Sequence, residues 1–260
     1  MDLGLKGKTA LITGASKGIG LACAETLAAE GCHVILISRG QEALNIAKQR
    51  IQAAHPSITV TTYSFDLSLA EHQAQVAAMA ADCDILVNNA GSNPSGLLTD
   101  TTDTGWRQSF DLKMFGYVNL TRAALEAMKI KKRGVIINVI GYAGERLMAK
   151  YIIGTTANAG LMAFTRSVGS ESPDYGVRVV GVNPALTKTE RGEKLLKLWS
   201  EGTDGQKLTE QEVLAKMNLP FGRMATSEEV ADAVAFLASD RASYISGIVL
   251  NIDGGGAFRL

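Results

Sequence analysis

Residues 13–20, TGASKGIG, have the types and the spacing to hold phosphate. Gly14, Gly18 and Gly20 allow a tight turn and let a pyrophosphate come close to backbone N–H groups. The apolar run TALIT precedes them, and Ile19, Ala22, Leu27 and Ala28 follow with helical spacing. The loop therefore joins a strand to a helix N-terminus, whose partial positive charge favours an anion. A second anion-binding feature follows the next apolar run, HVILIS at 33–38, which ends Ile37-Ser38 and leads into Arg39. A fold that selects NAD carries a carboxylate here for the ribose 2′-hydroxyl. None is present. Ser38 and Arg39 instead suit a 2′-phosphate through charge-assisted hydrogen bonds, and Lys17 adds a cation in the loop. The expected cofactor is NADP(H) in preference to NAD(H).

Other chemistries find less support. His33, His55 and His72 are scattered without ligand spacing, so no metal site is expected. Cys23, Cys32 and Cys83 are odd in number and widely spaced. They read as buried free thiols in a reducing compartment, not as a disulfide framework.

The elements that must position these residues alternate. Runs rich in Val and Ile recur at 9–13, 33–38, 58–65, 84–89, 134–140, 176–182 and 247–252. Bounded by turn residues, they read as strands buried on both faces. Helical spacing fills the intervals near 18–30, 41–54, 69–81, 103–130, 154–171 and 227–238. Strand and helix in alternation predict βαβ units with right-handed crossovers. The expected fold is α/β, a Rossmann-type doubly wound parallel sheet of about seven strands with helices on both faces. Residues 1–260 are expected to form one domain. Residues 187–223 break the alternation with two short amphipathic patterns, Leu195, Leu196 and Trp199, then Val213, Leu214 and Met217. An insertion after a strand's C-terminal end lies where ligands bind in this architecture, so it is read as an apolar lid over a substrate cleft.

Composition sets outer bounds. The chain has 260 residues, 46% hydrophobic and 20% charged, as in an ordinary globular protein. Lys plus Arg and Asp plus Glu are both 26, so no basic field exists to hold nucleic acid or an anionic membrane. No stretch is long and apolar enough to span a bilayer, and the N-terminus lacks the apolar core of a signal peptide. The expected location is the cytoplasm.

The motifs together resemble the short-chain dehydrogenase/reductase superfamily over essentially the whole chain. The similarity lies in the glycine loop, Asp66 after the third strand, NNAG at 88–91, NP at 183–184 and FLASDRASYISGIVLNIDGG at 236–255. The resemblance implies that Gly14, Ser16, Lys17, Gly18, Ile19 and Gly20 hold the pyrophosphate. It implies that Asp66 and Leu67 flank the adenine and that Asn88, Ala90 and Gly91 line the adenosine ribose. Pro184, Thr187 and Thr189 would orient the nicotinamide. A homo-oligomer, dimer or tetramer, is implied as well, with the helices near 103–130 and 154–171 packed against a symmetry mate.

The same resemblance implies Ser, Tyr, Lys and Asn at the catalytic positions, and here this chain departs from it. Tyr and Lys four residues apart share one helix face, where the Lys helps the Tyr pass a proton. Counting back thirty residues from Pro184 reaches Gly154, and thirteen more reaches Gly141. Ser thus becomes Gly141, Tyr becomes Gly154 and Lys becomes Asn158, while Lys113 stands at the Asn position. The lysine and the asparagine have exchanged places. The candidate catalytic set is therefore Lys113, Asn158, Tyr151 one turn before Gly154, and Tyr142 after the Ser position. A buried Lys113 would act as acid or base or would stabilise an oxyanion.

Three functions remain open on the sequence. One is an NADP(H)-dependent oxidoreductase with an atypical site, acting on a small apolar carbonyl or alcohol. Another is a cofactor-binding regulatory or structural protein without turnover. The third is a lyase or isomerase using Lys113 as base.

Overall fold

A computed structural model describes residues 2–200, 207–216 and 219–258. Seven strands form one parallel sheet in the order β3-β2-β1-β4-β5-β6-β7. The first half runs β1 (Thr9–Thr13), α1 (Gly18–Ala29), β2 (His33–Ser38), α2 (Gln41–Ala54), β3 (Val60–Ser64), α3 (Ala70–Ala80) and β4 (Ile85–Asn88). Next come α4 (Asp103–Ser109), a π-turn over Phe110–Phe115, α5 (Gly116–Lys131), β5 (Gly134–Val139) and α6 (Ile152–Glu171). The chain continues through β6 (Val177–Pro184), α7 (Glu190–Ser200), α8 (Glu210–Lys216), α9 (Ser227–Ala238) and β7 (Val249–Ile252). The order reverses between β1 and β4, and a crevice opens at the carboxyl ends of the strands there, as a doubly wound sheet requires.

The inner strands β1, β2, β4, β5 and β6 bury side chains on both faces because successive side chains alternate across the sheet, whereas the edge strands β3 and β7, expected to be buried as well, are partly exposed because each has a neighbour on one side only. In β1, Ala10 and Ile12 pack with Leu27 of α1 and Val234 of α9. Leu11 points the other way, towards Val76 of α3 and Leu120 of α5. The continuous apolar runs thus reflect a sheet covered by helices on both sides. Cys23, Cys32 and Cys83 are buried and free, and burial pushes each thiol up to about 12. They serve as small core side chains.

One feature that matters to the site escaped the sequence periodicity. The helical segment near 103–130 is not continuous, because Phe110–Phe115 winds as a π-helix between α4 and α5. Such a turn re-aims the side chains it carries, and its Lys113 is buried. The stretch 187–223 does contain two short helices, α7 and α8. Leu196 and Val213 are buried and Leu195 and Leu214 are partly so, while the Trp199 side chain and Met217 lie outside the described residues. No described helix is long and apolar enough to cross a membrane.

Candidate active site

The crevice is a cavity of about 580 Å³ at the carboxyl ends of the strands. Its floor at one end is the glycine loop. Gly14 and Gly18 have φ of +66° and +56°, a left-handed backbone that side chains disfavour. Gly20 faces the protein instead of the cavity. A Cβ there would lie 2.3 Å from the Gly14 carbonyl oxygen and 2.5 Å from Asn89 Nδ2, so its role is close packing of helix on strand. Gly20→Ala is expected to destabilise the fold by about 1–3 kcal/mol through this overpacking. A urea melt checks it, and unchanged stability would show that the loop can give way.

Beside the loop, Ser16 Oγ and Ser38 Oγ lie 2.9 Å apart. The Ala15 amide donates to the Ile37 carbonyl, which ties the loop to the end of β2. Arg39 lines the same end of the cavity, and no ion pair engages its side chain among the described residues. Lys17 does not stand free: its ammonium is 2.5 Å from Glu190 of α7. Hydrogen bonds from Lys17 and from Lys194 hold Glu190 at about 2, so its carboxyl group is ionised at any ordinary pH.

The expected cofactor residues divide by where they point. Gly14, Ser16, Lys17, Gly18, Ile19, Ser38, Arg39, Leu67, Ala90, Gly91, Pro184, Thr187 and Thr189 line the cavity. Asn88 does not. It is fully buried in the sheet, where its Nδ2 donates to Thr121 and Asn138. The neighbouring Asn89 lines the cavity and ties β1 to β4 by donating to the Thr13 carbonyl. Asp66 is also outside the lining, its carboxylate accepting from the Ser68 amide and hydroxyl. Partial burial pushes this carboxyl up, but those bonds, Arg39 and His72 outweigh it, and the net shift is downward.

At the other end Lys113, Tyr142, Tyr151 and Asn158 all line the cavity. The Lys113 ammonium donates to the Ile140 carbonyl at 2.5 Å. That carbonyl lies just past the end of β5, which frees it for a side chain. The lysine stem passes over Gly91, where a Cβ would sit 2.8 Å from Lys113 Cδ. Burial, and secondarily the Arg191 cation, pull Lys113 down to about 7. A group near 7 exchanges a proton readily at neutral pH. Lys113 and Asn158 share the cavity, but the amine binds a backbone carbonyl.

Asn158 is buried, and its Oδ1 has no partner among the described residues. Its Nδ2 lies 3.0 Å from where a Cβ on Gly141 would be, and Gly141 itself has φ of +125°. Tyr142 begins a one-turn 3₁₀ helix, and burial keeps its phenol above the ordinary value, opposed by Arg146 and aided by Asp253. Tyr151 caps the start of α6, and its ring lies across Gly154. Its hydroxyl oxygen accepts from Asn93 Nδ2 at 3.3 Å and from Arg191 at 3.1 Å.

Arg191 was not among the candidates read from the sequence. It also donates to the Gly91 and Asn93 carbonyls, so α7 is fastened to the loop after β4. Its partners lie 40 to 100 residues away in the chain, and no local pattern marks it. No cluster of His, Cys, Asp and Glu suited to a metal occurs among the described residues.

Comparison with known proteins places this arrangement. The family model described as short chain dehydrogenase matches residues 8–197. The chain belongs to the short-chain dehydrogenase family. The 3-oxoacyl-[acyl-carrier-protein] reductase FabG of Escherichia coli is 34% identical over 256 residues, covering 97% of this chain and 98% of the relative. The uncharacterized oxidoreductase YvaG of Bacillus subtilis is also 34% identical and covers 98% of both chains. Among solved structures, L-sorbose reductase from Gluconobacter frateurii, complexed with NADPH and L-sorbose, superposes with a TM-score of 0.90. It is 30% identical, and the match covers 100% of both chains. In this short-chain dehydrogenase, Lys113, Gly141, Tyr151 and Asn158 line one cavity, and the Tyr151 ring lies against Gly154.

Proposed function

We propose that this short-chain dehydrogenase is an NADP(H)-dependent oxidoreductase with an atypical active site, acting on a small, predominantly apolar carbonyl or alcohol. The observation that carries the reading is a buried lysine, brought to about 7, in the cavity that the glycine loop and Arg39 also line. The residues present fit the cofactor. Backbone N–H groups of the glycine loop would take the pyrophosphate. Ser16, Ser38 and Arg39 would take the 2′-phosphate, at a strand end that offers no carboxylate. Leu67, Ala90 and Gly91 would line the adenosine side, and Pro184, Thr187 and Thr189 the nicotinamide. The bound nicotinamide supplies or accepts the hydride.

The chain's own residues manage the proton and the charge. In the reducing direction Lys113 in its ammonium form holds a proton at Nζ and offers positive charge where an alkoxide develops. Tyr151 offers a hydroxyl whose oxygen already accepts two N–H bonds, so its own proton is free to donate. The Asn158 Oδ1 is an open acceptor for a substrate hydroxyl or a water. Met148, Leu186 and Leu195 supply apolar wall. Phe115 and Ile130 lie exposed along the segment from the π-turn to the end of α5, in keeping with a homo-oligomer formed through this face.

The test is an NADPH assay that follows nicotinamide fluorescence and its consumption together, with acetophenone, benzaldehyde, phenanthrenequinone and a cyclic imine. Consumption dependent on one of these, and lost in Lys113→Met, is the expected result. NADPH that binds but is never consumed would overturn the redox reading in favour of a protein that only holds the cofactor. Product formed without cofactor would point to lyase or isomerase chemistry.

A further inference from the structure

Gly154 has no side chain, and Tyr151 uses the room. A Cβ built on Gly154 would fall 2.0 Å from Tyr151 Cε1 and 2.1 Å from Cζ. No other residue type at 154 is compatible with this ring position. The phenol therefore approaches the cavity from the N-terminal edge of α6, over the vacated backbone. At that point two N–H donors meet its oxygen, Asn93 Nδ2 from the loop after β4 and Arg191 from α7.

The guanidinium is not loosely placed. One nitrogen donates to the Gly91 carbonyl at 3.1 Å. The other donates to the Asn93 carbonyl at 3.0 Å and to Tyr151 Oη. The helical turn that carries it is pinned as well. Gly192 follows, where a Cβ would lie 2.1 Å from the Thr187 carbonyl oxygen, so this glycine lets the start of α7 sit close against the chain leaving β6. Glu190, just before, holds Lys17 of the glycine loop. One turn of α7 thus touches the phosphate loop, the loop after β4 and the phenol. Lys113, bound to Ile140 O, makes no hydrogen bond to Tyr151, so Arg191 is the cation in contact with that hydroxyl.

We infer that Tyr151, seated on Gly154, is the hydroxyl that gives its proton to the substrate oxygen, and that Arg191 is the positioning residue that aims it and steadies the oxyanion left behind. This rests on the oxidoreductase reading above. With the hydride that a bound nicotinamide would supply to the carbonyl carbon, the carbonyl oxygen would take the Tyr151 proton and become a hydroxyl. The phenolate that remains accepts from Arg191 and Asn93, and a proton from solvent restores it. Charge-assisted N–H bonds to an oxyanion are stronger than those to the neutral phenol, so the contact favours the reacting state over the resting one. The guanidinium arrives on the insertion after β6, so the site is complete only with α7 in place.

The experiment compares Arg191→Ala, Arg191→Lys, Tyr151→Phe and Gly154→Ala in the full-length chain. The substrate is whichever carbonyl compound of the panel above the wild type reduces. Arg191→Ala is expected to lower kcat by roughly tenfold or more, with NADPH affinity and KM nearly unchanged. Arg191→Lys and added guanidinium ion should restore part of the loss. Gly154→Ala should match Tyr151→Phe, because the ring is displaced. A purely structural Arg191 would instead raise KM and weaken NADPH binding, with no rescue by guanidinium, and that pattern overturns the assignment. So does full kcat in Arg191→Ala. A second readout does not need turnover. With 3-fluorotyrosine incorporated, the ¹⁹F resonance that disappears in Tyr151→Phe should move in Arg191→Ala, and an unmoved resonance overturns the contact. A wild type that consumes no NADPH overturns the functional reading, and the proton-donor role with it. An active wild type beside an equally active Arg191→Ala overturns this inference alone.

Discussion

Lys113→Met should give a protein that is more stable than the wild type and reduces its substrate far more slowly. Lys113 is 8% exposed, and its folded value of about 7 lies well below the ordinary 10.5. Folding therefore strips solvation from a group that the unfolded chain keeps fully protonated at neutral pH. The unfolded state binds more protons than the folded state between about 7 and 10.5, so stability rises with pH across that window. Below about 7 the penalty is complete, on the order of 5 kcal/mol. Methionine removes it but leaves the Ile140 carbonyl without its donor, a loss of about 1–3 kcal/mol. The net gain is then roughly 2–4 kcal/mol, or several degrees in Tm for a chain of this size. The wild-type pH slope above neutrality should flatten in the variant. Activity should move the other way, with kcat for carbonyl reduction down by about 10²–10⁴. In the wild type that rate should fall as pH rises through about 7, because the ammonium is the competent form. Thermal melts at several pH values, paired with steady-state rates, check both halves. A variant that melts lower at neutral pH would show that Lys113 is not a costly buried charge.

Arg39→Ala should weaken NADPH binding by about 10- to 100-fold and leave NADH binding nearly unchanged. A charge-assisted hydrogen bond to an anion is worth about 1.5–3 kcal/mol, and only NADPH carries the 2′-phosphate that would receive it. The geometry is prepared for that group. Ser16 and Ser38 place two hydroxyls 2.9 Å apart at the end of β2, and Arg39 lines the cavity beside them. Adding Ser38→Asp should invert the preference, since a carboxylate there repels the phosphate and accepts from a ribose 2′-hydroxyl. Fluorescence titrations with both cofactors decide the matter. An equal loss for both would mean that Arg39 acts on the shared part of the nucleotide.

The legibility of this protein in its sequence follows the range of the interactions involved. The glycine loop, Arg39 and the strands from TALIT to GIVLNI were readable because turn chemistry, strand burial and helix entry act over a few residues. The family motifs extended that reading to the positions of Gly141, Gly154, Asn158 and Lys113. They could not say which way a side chain turns. Asn88 and Asp66 sit in the right motifs, yet Asn88 satisfies buried polar neighbours in the sheet and Asp66 caps its own turn.

The sequence by itself determined the layered fold and the glycine loop at one end of the cavity, since both depend on local backbone preference and hydrophobic period, while the unusual residue types at positions 113, 141, 154 and 158 were legible only through the resemblance to the family. Only the tertiary structure decided that a π-turn buries Lys113 against Ile140, that Tyr151 lies on Gly154, and that Arg191 reaches across from α7 to meet it. Those contacts join residues far apart in the chain through single side chains, and they come into being only when packing brings the ends of different strands to one cavity.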